Sequence, residues 1–494
     1  MKFCVTTPIY YINGEPHIGH AYASTAADIL ARFKRLDGYE VHFSTGTDEH
    51  GIKVARSAEK AHMEVQAFSD VMSQKFRDMS SLMNISYDDF IRTTEERHIK
   101  ASQRLWTMIE KDIYKSSYKG WYDPRDEMFV NDSEIVDGIA PSGGKVEWME
   151  EESYFFKLSA YQDKLLDYYE SHPDFILPLS RRNEIISFVK SGLKDLCISR
   201  SKFSWGIPVP NSENHVMYVW IDALTNYLTS LGFPDDMERA ESYFKECIHV
   251  VGKEILRFHA VYWPAFLMAA GLPLPKRIFA HGWWTSEGQK MSKSVGNVVN
   301  PFEIAEKYGL DCVRYFLMRE VRFGEDGDFS VEAIKKRISY DLANDLGNLV
   351  QRVLAFIQKS GGHMISDYNF SNDEKILFDN SKQLISRLRP LMDNQDLSNA
   401  LSTIWELVAE SNKFVNDQKP WELAKKNDPK LHRVLTALCE AIKSIAFGIA
   451  PFMPDTARKI FDFINVKGNS FAEIDEKFSS QCFPKPFPLF TKCE

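Results

Sequence analysis

The chain has 494 residues, 44% of them hydrophobic and 26% charged. That is the make-up of a globular protein of about three domains, and it excludes a disordered chain, a collagen-like fibre or a small disulfide scaffold. The net charge of −9 argues against a uniformly basic nucleic-acid binder but leaves room for a local basic strip, because a partner feels local potential. Seven cysteines, with Cys482 and Cys493 as the closest pair and no C-x-x-C, point to a thiol-reducing compartment. Pro8, Asn13 and Gly14 break the first apolar run, so no signal peptide is read. No stretch approaches the ~18 apolar residues of a membrane span. A cytoplasmic protein without membrane association is the expectation.

Phe3–Thr7 reads as a short buried strand and Asn13-Gly14 as a turn pair. From Ile18 to Leu36, the residues Tyr22, Ala26, Ile29, Leu30 and Phe33 share one helical stripe, which Gly38 stops. Val41–Thr45 is a second strand, followed by the polar loop Gly46–Gly51 and another helix. Between Tyr114 and Trp205 the rhythm breaks. Gly138, Pro141, Gly143 and Gly144 crowd together, which reads as an insertion packed around Trp121, Tyr122, Phe129, Trp148, Tyr154 and Phe155. Cys247–Val251 and Arg277–Ala280 resume the strand signal, each followed by a loop with Gly and His. Strands alternating with helices predict a parallel sheet covered on both faces, with ligands outside the carboxyl ends of its strands. The loops after Thr7, Thr45, Val251 and Ala280 then converge on one crevice. Beyond about Ser330 no strand is expected. Ser371-x-x-Glu374 is a capping box ahead of the helix Ile376–Leu388. Leu401, Ile404 and Val408, then Leu435, Leu438, Ile442 and Ile445, keep helical spacing, so the last third is a bundle. The expected division is 1–114 with 206–330 for the sheet domain, 115–205 for the insertion and 331–494 for the helices.

Two segments carry chemistry. Pro16-His17-Ile18-Gly19-His20 lies at the turn into the first helix. A helix N-terminus offers N–H groups and a positive dipole end, which suits phosphate, and the two imidazoles share a face there. Gly19 admits a flat base or another backbone. The spacing alone equally allows a metal pair or two satisfied surface histidines. Lys290-Met291-Ser292-Lys293-Ser294, bounded by Gly288 and Gly296, is either a cationic clamp for a transferring phosphoryl group or a solvated basic loop. No G-x-x-x-x-G-K-[ST] occurs, so a Walker-type phosphate cradle is absent.

Placed in this order on opposite sides of a long insertion, the two segments resemble the paired signatures of class I aminoacyl-tRNA synthetases. Narrower stretches resemble the methionyl-tRNA synthetase family: Pro8–Gly14, Gly46-Thr47-Asp48-Glu49-His50-Gly51, Tyr218–Leu224, and Gly252-Lys253-Glu254-Ile255 with Phe258-His259 and Trp263-Pro264. The resemblance runs from Phe3 into the final helices. It implies a Rossmann-like catalytic domain with an inserted connective domain, followed by a helical anticodon-binding bundle. The implied reaction is ATP-dependent ligation of methionine to its tRNA through methionyl-adenylate, with Mg accompanying ATP.

By the same resemblance, His17 and His20 hold the triphosphate, and Lys293, helped by Lys290, meets the leaving pyrophosphate. Gly19, Gly252, His281 and Gly282 line the ATP site. Methionine binding falls to Ile9, Tyr11, Asp48, Trp220, Ala223, Leu224, Tyr227, Ile255, His259 and Trp263, with Asp48 on the ammonium. Aromatic walls suit a polarizable thioether. Asn348, Arg352 and Trp421 match the anticodon-reading positions, where bases stack and bond by their edges. Taken without the family, Asp48 also reads as a helix cap, His259 as a satisfied core histidine, Trp220 and Trp263 as core, and Trp421 as a bundle anchor. Lys335-Lys336-Arg337 reads either as a contact to the tRNA or as a solvated helix face.

The insertion is too small for the editing domain of the leucine, isoleucine and valine enzymes. Many methionine enzymes carry zinc knuckles there, yet Lys115–Trp205 holds a single cysteine, Cys197. A structural zinc needs four ligands, so the zinc-free type is expected. The chain stops soon after the bundle, without the extra C-terminal domain that the family often adds, which favours a monomer. A nucleotidyl-transferring relative without tRNA is disfavoured by the bundle, and a non-catalytic scaffold by the intact His and Lys pairs. A metal hydrolase built on His17, His20 and His50 lacks any carboxylate–histidine helix motif.

Overall fold

The computed structural model describes residues 1–123, 128–130, 132–141, 143–286, 288–291, 298–359 and 361–491, with the backbone alone at 118, 128, 129, 133, 151, 289 and 290. Its centre is a seven-stranded sheet of β1 (Lys2–Thr6), β2 (Tyr10–Tyr11), β3 (Glu40–Asp48), β4 (Asp89–Arg92), β5 (Ile176–Leu177), β6 (Cys247–Gly252) and β7 (Arg277–His281). Pairing runs β3-β1-β6-β7-β5, all parallel. β4 lies on the outer side of β3, while β2 continues the line of β1 along the inner side. Parallel strands require cover on both faces, and the alternation obliges. Phe3, Val5, Ile248 and Val250 enter one apolar cluster, while Cys4, Cys247, Val251, Ile278 and Ala280 enter another. All carboxyl ends therefore share one edge.

β3 runs three residues past Thr45, so Gly46, Thr47 and Asp48 are strand, not the expected loop. The extension exists because β2 and β4 offer ladder partners on either side, which no local pattern reveals. Helix α1 (Ile18–Leu36) packs small residues, Ala21, Ala26, Ala27 and Ala31, into the first cluster. Two further helices frame the crevice, α2 (Glu96–Ile109) and α3 (Val219–Thr229).

The stretch from Ile113 to Cys197 forms its own antiparallel four-stranded sheet, in the order Met128–Val130, Ile113–Asp123, Glu147–Phe156, Leu196–Cys197. The same stretch lends β5 to the central sheet. Tyr122 and Phe155 are buried, but Trp148 is 58% exposed, against expectation. It meets its cross-strand partner Trp121 at 5.2 Å, and it is Trp121 that packs on the small cluster of Val130, Ala140 and Val146, leaving Trp148 outside it. The Phe129 side chain lies outside the described residues.

After α4 (Leu310–Arg319) the chain is mostly helical, with α5 (Asn348–Lys359), α6 (Asn372–Asp393), α7 (Leu397–Gln418), α8 (Pro420–Lys425) and α9 (Lys430–Ile449). The Ser371–Glu374 capping box starts α6. One expectation fails here: His363–Met364 and Gln481–Cys482 form a two-residue antiparallel ladder. It ties the C-terminal segment to the bundle and is too short to leave a periodic signal.

The bundle is seated on the sheet domain through two arginines. Arg314 on α4, wholly buried, donates to Asp28 on α1 at 2.6 Å and to the carbonyls of Met83, Pro451 and Phe452 at 2.9 Å each. Burial alone would push the Asp28 carboxyl up, but Arg314 and Arg32 outweigh it and hold it below the ordinary value. Arg277, at the start of β7, donates to the Asp393 carbonyl at 2.6 Å and to Gln395 Oε1 at 2.9 Å, in the turn between α6 and α7.

Candidate functional site

The crevice begins at the first turn of α1. His17 is the N-cap: its Nδ1 accepts the Gly19 N–H, while His20 Nδ1 accepts the His17 N–H, each at 3.1 Å. A ring nitrogen that accepts carries no proton, so both imidazoles are fixed as Nε2–H tautomers. The rings stack at 3.8 Å, and His20 meets Tyr10 at 4.7 Å and Phe76 at 5.1 Å. Burial among these rings, with His17 alongside, holds His20 well below the usual imidazole value. Gly19 is tightly placed: a Cβ would stand 3.0 Å from the His17 ring, which would have to shift by a few tenths of an ångström.

Next to it lies an aromatic cluster, the candidate slot. Tyr11 and Asp48 are register partners at the ends of β2 and β3, and Ile9 is half-buried just before them. On α3, Trp220, Ala223, Leu224 and Tyr227 fall on one stripe of i, i+3, i+4, i+7. Trp220 stacks on Phe258 at 3.7 Å, with planes 5° apart. Tyr227 donates its hydroxyl proton to His259 Nε2 at 2.7 Å, and His259 Nδ1–H donates to the Ile255 carbonyl at 2.9 Å. Burial pulls His259 down to about 4 and pushes the Tyr227 phenol well up, so both rings are neutral. His259 sits in a π-helical turn, Phe258–Tyr262, a form often found at functional sites. Trp263 is fully buried, with its ring 6.2 Å from that of Tyr227. The two halves are joined where His50 Nδ1 meets Asp222 at 2.6 Å.

On the other side of β1, the ends of β6 and β7 carry Gly252 and His281. A Cβ on Gly252 would come within 2.4 Å of the Glu254 carboxylate, and one on Gly282 within 2.3 Å of the Glu325 carbonyl. The second clash is with backbone and requires glycine at 282, whereas the Glu254 side chain could swing away from a substituted 252. His281 Nδ1 contacts the Gly282 carbonyl at 2.8 Å, and burial lowers its affinity for a proton. Glu254 accepts the Trp283 indole N–H at 2.6 Å. Lys293 lies outside the described residues, and of Lys290 only the backbone is described. Just past that segment, the Val299 carbonyl accepts the Ile18 N–H at 3.1 Å, beside His17.

A second feature lies on the bundle. Arg352 and Trp421 come together, with the guanidinium 5.9 Å from the indole ring and also donating to Asn416 at 2.8 Å. Asn348 is exposed one turn before Arg352 on α5. Trp421 is 39% exposed and walls a cavity of about 310 Å³ with Gln351, Phe356, Lys359, Pro420 and Leu438. Gln351 Oε1 is buried there with no hydrogen-bond partner among the described residues. Arg337 is engaged by Glu320 at 2.7 Å and by Asp341 at 3.1 Å.

Reading the sequence missed the stacking of Phe258 on Trp220, Gln351, and the bond between His50 and Asp222. Asp222 had a signal: it is the one charged residue in the otherwise uncharged helix Val219–Thr229, and a buried charge needs a partner.

The comparisons agree over the whole chain. A family model described as tRNA synthetases class I (M) matches residues 3–146 and 134–354, and one described as the anticodon binding domain of methionyl tRNA ligase matches residues 366–487. The methionine–tRNA ligase of Brucella suis is 51% identical over 503 residues, 99% of this chain and 98% of that protein. That of Rickettsia conorii is 50% identical over 471 residues, 94% of this chain and 93% of that protein. A solved structure of Mycobacterium tuberculosis methionyl-tRNA synthetase in complex with methionyl-adenylate superposes with a TM-score of 0.96 at 48% identity, over 99% of both chains.

Proposed function

This chain belongs to the methionyl-tRNA synthetase family of class I and is an ATP-dependent methionine–tRNA ligase that works through methionyl-adenylate; from that premise we propose how its residues share the work. A carboxylate oxygen of methionine bonds to the α-phosphorus of ATP as the bond to the β-phosphate bridge breaks, and pyrophosphate leaves. A hydroxyl of the terminal adenosine of tRNA then attacks the adenylate carbonyl, and AMP leaves. No protein nucleophile is needed; position and charge supply the acceleration.

His17 and His20 donate their Nε2 protons to triphosphate oxygens, and Lys293, with Lys290, neutralises the leaving pyrophosphate. Gly19, Gly252, His281 and Gly282 line the adenosine side. Methionine lies in the slot with its ammonium on Asp48 and its thioether among Tyr11, Trp220, Tyr227 and His259. Ile9, Ala223, Leu224 and Ile255 supply apolar lining, with Trp263 closing the slot from behind. Neutral His259 and Tyr227 suit a thioether, which a charged ring would repay poorly for its own desolvation. Asn348, Arg352 and Trp421 read the anticodon. Magnesium arrives bound to ATP, as part of the substrate. We read the enzyme as a zinc-free, monomeric, cytoplasmic member of its family. Cys197 alone in 115–205 supports the first point. No helix among the described residues is long and apolar enough to cross a membrane.

The observation that carries the site is the reciprocal capping of His17 and His20, which turns two neutral imidazoles into paired donors at a helix N-terminus. The bond from Ile18 to Val299 supports the second half, since it ties the lysine segment's end to that same turn. Methionine-dependent ATP–pyrophosphate exchange tests the reading. Exchange with methionine should exceed that with leucine or isoleucine by about 10-fold or more. Equal exchange would overturn the slot.

A further inference from the structure

Helix α3 has two stripes. One carries Trp220, Ala223, Leu224 and Tyr227. The opposite one is polar yet buried: Asp222, Thr225, Asn226 and Thr229 are each at most 3% exposed. Three of these close back on their own helix. Thr225 donates to the Ile221 carbonyl, Asn226 to that of Ala223 and Thr229 to that of Thr225. Asp222 instead reaches off the helix, to His50 Nδ1 at 2.6 Å and His98 Nε2 at 2.7 Å. His98, wholly buried on α2, meets α3 again at Thr229. A buried carboxylate is costly unless paired, so this bridge has one stable arrangement.

The other end of the bridge is the turn that follows Asp48 at the end of β3. Its backbone is clamped from outside α3: Glu49 N–H donates to Thr93, the Glu49 carbonyl accepts the Trp205 indole N–H at 2.6 Å, and Gly51 N–H donates to the Trp205 carbonyl. The Glu49 carboxylate takes Arg92 and Thr94. These bonds tie the turn to β4 and the Trp205 segment, and His50 ties it to α3. Asp48 stands two residues away from His50. The Asp222 carboxylate enters none of the reaction steps above.

We infer that Asp222 is a positioning residue for methionine. By holding His50 and His98 it fixes the Asp48 turn against the pocket stripe of α3 and sets the gap between the group that takes the ammonium and the walls that take the side chain. This rests on the reading of Asp48 as the ammonium holder.

The test is pyrophosphate exchange with methionine and ATP varied separately, on folded protein checked by circular dichroism. Asp222→Asn should raise the KM for methionine about 10-fold or more, with the KM for ATP within about 2-fold. His50→Leu, which removes the donor, should do the same. His50→Asn, whose amide N–H falls near the place of Nδ1–H, should recover most of the loss. These two variants carry the test if Asp222→Asn does not fold. The double variant Asp48→Asn/Asp222→Asn should be no worse than Asp48→Asn alone, because Asp222 acts through Asp48. Equal rises in both KM values, failure of His50→Asn to recover, or multiplying effects in the double variant would each overturn the inference. An unchanged methionine KM in Asp48→Asn would instead remove the ammonium reading beneath it.

Discussion

His259 shows how one side chain couples the slot to pH. Burial pulls it from its ordinary 6.5 to about 4. Between those values the unfolded chain binds a proton at this ring that the folded chain does not. Stability is therefore complete above 6.5, falls as the pH drops through this window and levels off below about 4. From pH 7.5 to pH 5 this group alone should cost about 2 kcal/mol, and urea unfolding of His259→Gln should show a loss smaller by that amount. Lys293 is argued at the same scale. Lys293→Ala should slow adenylate formation about 100-fold in rapid-quench experiments while methionine affinity shifts less than about 3-fold. Equal losses in both would refute its role. The kinds of residue in the site were legible in the sequence, because the motifs name them. Their hydrogen-bond states were not. That His17 and His20 cap each other's backbone, or that Tyr227 bonds to His259, depends on rotamers and burial that spacing does not encode.

Among elements, the early strands and α1 were legible because alternation and the 3.6-residue stripe are strong there. The end of β3 was not, since Gly46–Asp48 is strand only by virtue of its neighbours. The ladder of His363–Met364 with Gln481–Cys482 escaped for the same reason. Nor did any local pattern mark Arg314 as the meeting point of α1, α4 and the Pro451–Phe452 turn. Arg314→Leu leaves three carbonyls and a buried carboxylate short of a donor, so it should lower stability by about 3–5 kcal/mol in urea unfolding. A change below about 1 kcal/mol would show that Arg32 and Ser86, whose N–H and hydroxyl both donate to Asp28 Oδ1, suffice for that carboxylate.

At the scale of the whole molecule, the proposed reading gives the crevice and the Trp421 groove separate tasks. Trp421→Ala should impair tRNA charging about 10-fold or more while leaving pyrophosphate exchange within about 2-fold, since stacking a base is worth ~1–3 kcal/mol. A parallel fall in exchange would refute that division of labour.

Arg277 and Arg314 also bear on which RNAs can be served. They bind the bundle to the sheet through backbone carbonyls, and on the reading proposed above the expected consequence is a span between crevice and Trp421 groove that is set by the protein. The enzyme should then behave as a calliper of set width. A tRNA with the right letters but a stem clipped by a few base pairs would offer its bases to one jaw and leave the other empty.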